Sequence, residues 1–307
     1  PKAANPADAE YPELGSVVAK QLEDQVEDMP LFVANTKFYG GGPAYLGAAY
    51  SAFMPNSKSI TSSGANRYDP VPLFGAKDGQ LSARDSALAS LRKRNSLLSE
   101  FDVFRRELDR TGSMDALDKF RRRAVAMLTS SRTARAFDLT KEPESVQRRY
   151  GKTHWGRSLL LSRRLVEHGA RFVQMQATFR LKKETGRTSN WDDHSVNADI
   201  FKAYRERMPV FDQAVPALIN DLYERGMNEK VLFIFCGEFG RTPKIRNQDK
   251  ATKRPGRDHW ARSMSIFLSG GGLKMGQVIG ATNARGEDPV SRVMNSNCLL
   301  STVYNRF

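Results

Sequence analysis

The sequence predicts an α/β protein with a mostly parallel central sheet flanked by helices. Strand-like and helical segments alternate through the C-terminal half, the order that parallel layered domains show. The run Val231 to Cys236, VLFIFC, is apolar without a break and rich in branched and aromatic side chains. That pattern is expected of a strand buried on both faces. It stops at Gly237-Glu238-Phe239-Gly240, which puts a carboxylate at a strand end, where ligands gather in open α/β sheets.

At 307 residues the chain is long enough to bury a full core. It is expected to form one domain over residues 1–307, with a loop-rich segment at 1–80, a helical hairpin at 81–140 and an α/β core at 141–307. No apolar run approaches the length that spans a bilayer. The N-terminus, PKAANPADAEYPELG, has neither the charged region nor the apolar stretch of a signal peptide and no initiator Met, so the true start is expected to lie upstream. Cys236 and Cys298 are far apart in apolar surroundings, as buried free thiols would be; neither a zinc knuckle nor a disulfide framework fits. The net charge of +14 attracts anionic partners over long range, unless it is a solvated basic surface with no dedicated partner.

In chain order, Val17 to Leu22 begins a helix and Leu31 to Ala34 is a short buried strand. Phe38-Tyr39-Gly40-Gly41-Gly42-Pro43 is either a ligand-facing loop or a packing turn, and Asp69-Pro70-Val71-Pro72 is a further irregular connection. From Ser82 to Met127, Leu88, Leu91, Leu98, Phe101 and Leu108 recur at helical spacing, and after Thr111-Gly112-Ser113 the pattern resumes at Leu117, Phe120 and Ala124. Two amphipathic helices packed as a hairpin satisfy this. Arg121-Arg122-Arg123 is either a solvated helix face or an anion-binding cluster. A helix through Leu159, Leu160 and Val166 ends at Gly169, with His168 capping carbonyls, and a strand follows from Arg171 to Gln176. Another helix, burying Phe211, Val215, Leu218, Ile219 and Leu222, stops at Gly226. Met264 to Leu268 is a second strand-like apolar run, before Gly270-Gly271-Gly272.

Three loops carry the chemistry. Asn190-Trp191-Asp192-Asp193-His194-Ser195 sets two carboxylates beside one of only four histidines. Asp192 and His194, two apart, point the same way on an extended segment. Mixed oxygen and imidazole ligands suit zinc, manganese or iron, whereas calcium and magnesium prefer oxygen alone. The alternative is a capped loop, with Asp193 or Ser195 starting the next helix. With Glu238 and with Asp258-His259, the loops offer enough ligands for one or two divalent cations. Two-metal sites stabilise both the attacking and the departing oxygen of phosphoryl-type transfer. Residues 241–262 hold eight Lys or Arg against Asp249 and Asp258, and guanidinium forks such as Arg241 and Arg257 match the oxygens of a phosphate or sulfate ester. Structural pairings, Asp258 with His259 and Glu238 with Arg241, compete with this reading.

The motifs GEFGRTP, GRDHW, FLSGGGLKMGQVIGATNARGEDPV and WDDHS, with YGKTHWGRSLLLSRRLVEHGARFV, AFDLTKEPESVQRRYG, YPELGSVVAK and GGGPAYLGAAYSAF, resemble the bacterial family labelled domain of unknown function 1501. That family is similar to the alkaline phosphatase and sulfatase superfamily. The resemblance implies an alkaline phosphatase-like sandwich and a periplasmic or exported protein. It implies that Asp192, His194 and His259 share one metal, that Glu238 binds a second, and that Asp258 ligates or orients His259. Arg241 and Arg257 would hold the substrate. The superfamily's Asp near the first strand and its nucleophile have no match here, so the chain is expected to be a fragment lacking the N-terminal part.

Two functions follow. One is a metal-dependent hydrolase of phosphate or sulfate esters. The other is a non-catalytic binding or structural protein engaging anionic polysaccharide, an envelope component or a protein complex. A nucleic-acid partner has only the charge in its favour, with no recognition motif.

Overall fold

The computed structural model describes residues 10–26, 28–35, 41–54, 122–127, 130–186, 191–247 and 253–306. The predicted hairpin lies outside these residues except for a helical stretch at 122–127, as do the turn at Asp69 and residues 38–40 of the glycine-rich loop. The chain divides into two units: Pro1–Arg148 with Arg157–Gln176, and Arg149–Gly156 with Ala177–Phe307.

In the first unit, α1 (Leu14–Gln21) and β1 (Phe32–Ala34) occupy the expected places. Val18, Met29, Phe32 and Val33 are buried together with α1's small residues. β1 pairs in parallel with β2 (Phe172–Gln174), Phe32 facing Phe172 and Ala34 facing Gln174. Between them in sequence come α2 (Ser131–Phe137), α3 (Glu144–Tyr150) and α4 (His154–Glu167). Ser130 caps α2 by accepting from the Arg132 and Thr133 amides, which satisfies two otherwise orphan donors. α4 stops as predicted: Gly169 takes φ 113°, which favours glycine, and His168 Nδ1 lies 2.8 Å from the Arg164 carbonyl. Of the arginine run, Arg122 is exposed, Arg123 donates to the carbonyls of Glu23 and Val26, and Arg121 lies outside the described residues. Buried Glu142 holds the guanidinium groups of Arg163 and Arg164.

The second unit is built on α5 (Ile200–Glu224), capped by Asp199 and carrying Pro209 and Pro216 within it. Its apolar face buries Ala203, Ala214, Val215, Leu218 and Leu222, and Gly226 at φ 64° ends it. Phe211 meets Trp155 and Phe235 edge to face. Tyr150 donates 2.8 Å to Asp221 on the same helix. β3 (Leu232–Phe235) pairs antiparallel with β6 (Phe267–Gly270), β4 (Gly240–Arg241) with β5 (His259–Trp260), and β7 (Ala281–Thr282) with β8 (Pro289–Ser291). α6 (Ser296–Tyr304) closes the described chain.

The expected fold class is therefore corrected. Among the described residues the sheets are four separate two-stranded ones, a single pair of them parallel, and the central parallel sheet of an alkaline phosphatase-like sandwich is not formed. The cause lies in how strands find partners. An apolar run specifies that a strand forms, whereas its partner is set by the connection that returns the chain. β3 is followed by a long loop that brings β6 back beside it in the opposite direction. β3 is accordingly only half-buried, and Phe267 on β6 is 47% exposed. Cys236 and Cys298 are free as expected but exposed rather than buried.

Candidate metal centre

The stretch that begins at Trp191 is held by aromatic packing. Trp191 stacks on Trp155, with centroids 5.8 Å apart, and meets Tyr204 and Phe235 edge to face. Its indole N–H donates 3.0 Å to the Ala177 carbonyl. Asn197 then donates to both the backbone carbonyl and Oδ2 of Asp192, leaving Oδ1 to other partners.

Three cationic or imidazole groups converge on Oδ1. His259 Nε2 is 2.9 Å away, Arg241 Nη1 3.0 Å and His194 Nε2 3.4 Å. The first two arrive together because the β4–β5 register sets Arg241 directly opposite His259, and opposed residues of an antiparallel pair share a face. Phe239 backs the His259 ring at 4.2 Å, and the two imidazoles lie 4.6 Å apart. Burial would raise the Asp192 carboxyl, but hydrogen bonds from His259 and Arg241, with the charges of His194 and Arg241, outweigh it and hold the group below its ordinary range. Asp192 is thus a carboxylate, ready as a ligand.

Asp192, His194 and His259 each offer one ligand atom, and these atoms all lie within 4.8 Å of one another. They form a candidate divalent-metal site. His194 Nε2 supplies the test of fit: it is buried and has no hydrogen-bond partner among the described residues, although Asp192 stands close. A buried imidazole nitrogen without a partner is costly, and a metal ion would satisfy it. His259 would bind through the same Nε2 that now faces Asp192, with its proton moved to Nδ1.

The other sequence candidates sit elsewhere. Glu238 is exposed beyond the end of β3 and does not join the cluster. Asp258 also stays out of it; its backbone exchanges hydrogen bonds with the Thr242 amide and hydroxyl. Arg257 donates to the carbonyls of Thr242 and Arg241, so its guanidinium shapes the loop. Arg241 alone of the two proposed anion holders reaches the cluster.

Sequence reasoning passed over a second pair. Asp193, 3% exposed, takes both Arg207 Nη atoms at 2.8 and 3.1 Å, and the guanidinium lies 4.4 Å from the centre of the Trp191 ring. The signal was present: a second carboxylate in WDDH needs a cation if it is buried, and Arg207 interrupts the apolar spacing of α5.

Comparison with protein families finds one model, described as Protein of unknown function (DUF1501), matching residues 3–307. The chain belongs to this family. The expectation of a fragment is corrected to what the match shows: the family model covers residues 3–307, nearly the whole chain. No curated protein and no solved structure matches the chain.

Proposed function

We propose that this protein is a metal-dependent hydrolase acting on phosphate or sulfate esters. The observation that carries the proposal is the approach of two imidazole nitrogens and one carboxylate oxygen to within 4.8 Å of one another, with a guanidinium on the same oxygen. Two nitrogen ligands favour zinc or manganese over calcium or magnesium. Three protein ligands leave coordination positions open, as catalytic rather than structural zinc sites do. A divalent ion there would polarise an ester oxygen and make a nucleophile of water at neutral pH.

The chain's own groups have separable tasks. Asp192 contributes the negative charge of the ligand set, and the two imidazoles fix its geometry. His259, with its side chain 51% exposed, lies on the open side, from which substrate would approach. Arg241 stands beside the ligand oxygen, where its remaining N–H groups can receive the ester's non-bridging oxygens. Lys244, Arg246, Lys253 and Arg254, on the same basic loop, would draw the anion in.

A second reading, a binding protein without turnover, draws on the apolar side chains exposed near the C-terminus: Val278, Val290, Val293 and Met294 are all more than half exposed, as at protein-contact surfaces. Ester hydrolysis separates the two. Metal-stripped protein should gain activity on 4-nitrophenyl phosphate or 4-nitrophenyl sulfate when zinc or manganese is restored, and Asp192→Asn should remove it. Metal-loaded protein that turns over neither ester sinks the hydrolase reading.

A further inference from the structure

We infer that Arg207 is a positioning residue that presets all three metal ligands through Asp193, an inference that rests on the metal-site reading above. Arg207 is wholly buried in α5. A guanidinium cannot shed its proton, so it must be matched by charge where it sits. Asp193 supplies that charge with both oxygens, in the forked geometry that fixes direction as well as distance.

Asp193 lies between the two ligands of its own loop. Held by Arg207, it orients the backbone from which Asp192 and His194 project. Arg207 also lies over the face of Trp191, so the residue before Asp192 is held by the same group. The third ligand is tied in through the backbone: the Asp193 carbonyl accepts from the Arg257 amide at 3.1 Å, two residues before His259. Gly256 makes that approach feasible, since a Cβ there would lie 2.1 Å from the Ser195 nitrogen. One buried cation therefore sets the loop carrying Asp192 and His194 and its distance from the strand carrying His259. Hydrogen-bonded partners behind metal ligands are worth about 10- to 100-fold in metal affinity.

Cobalt(II) is the probe, because its visible absorption reports ligand number and geometry. Its affinity and spectrum are measured on the wild type, Arg207→Lys and Asp193→Asn, below the melting temperature of each metal-free protein. The lysine keeps the charge and loses the fork; the asparagine keeps the size and loses the charge. The expected result is folded variants whose cobalt affinity falls about 10- to 100-fold, with a changed spectrum. Variants that melt lower yet bind cobalt with wild-type affinity and spectrum would show the pair to be purely structural, overturning the inference and leaving the metal site intact. A wild type that binds no cobalt overturns the metal-site reading itself. Should Arg207→Lys not fold, Asp193→Asn carries the same two outcomes.

Discussion

Replacing Glu142 with Gln tests how the first unit is held together. Glu142 Oε2 receives Arg163 Nη2 at 2.6 Å, Oε1 receives Arg163 Nη1 at 3.1 Å, and Arg164 Nη1 also bonds Oε1. The side chains of Glu142, Arg163 and Arg164 are 6%, 0% and 5% exposed, so this is a buried triad. Removing one member of a buried ion pair costs about 3–5 kcal/mol because charge is left uncompensated. Here the remaining partners soften the loss: Arg163 keeps Glu167 at 2.6 Å, and Arg164 keeps the Ala136 and Arg135 carbonyls. The lower end applies, about 3 kcal/mol, which lowers a melting temperature by about 6–12 °C in a unit of this size. Thermal melts followed by circular dichroism measure it. The pH dependence sharpens the test. Burial would raise the Glu142 carboxyl, but hydrogen bonding and charge from Arg163, then Arg164, win and hold it below the ordinary range. The carboxylate's contribution is therefore complete above the unfolded value of about 4.3 and is lost as the pH falls through the lower folded value. Wild type and Glu142→Gln should differ most at neutral pH and converge on acidification. Equal melting at neutral pH, or a gap that widens in acid, would show that the Glu142 carboxylate does not stabilise this unit.

The site gives two more predictions. Gly256→Ala places a methyl 2.1 Å from the Ser195 nitrogen and 2.6 Å from the His194 carbonyl carbon, both backbone atoms with little room to give. Overpacking of about 1–3 kcal/mol and a loss of metal affinity of at least about tenfold should appear together in melting and metal titration; a variant matching wild type in both contradicts the close approach of the two loops. Arg241→Gln removes a cation from the oxygen that the metal would use. Metal affinity should hold or tighten, by up to about tenfold for a charge-assisted hydrogen bond, while kcat/KM for the ester falls; weaker metal binding would place Arg241 among the groups that build the site.

The local signals in the sequence carried far. Helix stops at Gly169 and Gly226, the buried face of α5 and the buried strand at Phe32 follow from spacing and punctuation, which act over a few residues. That the loops of Asp192, His194 and His259 hold metal-type ligands was legible from the residues, whereas the grouping of these three with one another came from the family resemblance. Pairing was not legible. Nothing in VLFIFC states that its partner is Phe267–Gly270 running the other way, because that choice is made by the intervening loop and the packing of α5. The same limit hid Arg207: that it meets Asp193 depends on which turn of a helix passes beneath the loop. Arg257 donates to two backbone carbonyls, a use that the sequence does not separate from anion binding, since a guanidinium in a basic loop suits both. Glu238 had the right position along the chain, yet its side chain is turned out to solvent. Among the described residues no helix is long and apolar enough to cross a membrane, in line with the absence of a long apolar run.

Whether Asp192, His194 and His259 hold a divalent metal ion is decided by metal stoichiometry, from titration calorimetry with elemental analysis. Metal-stripped protein, offered zinc and then manganese, should bind one ion per chain at this site, and His194→Ala and His259→Ala should each abolish it. A wild type that takes up no ion, or variants that bind it undiminished, would contradict the account.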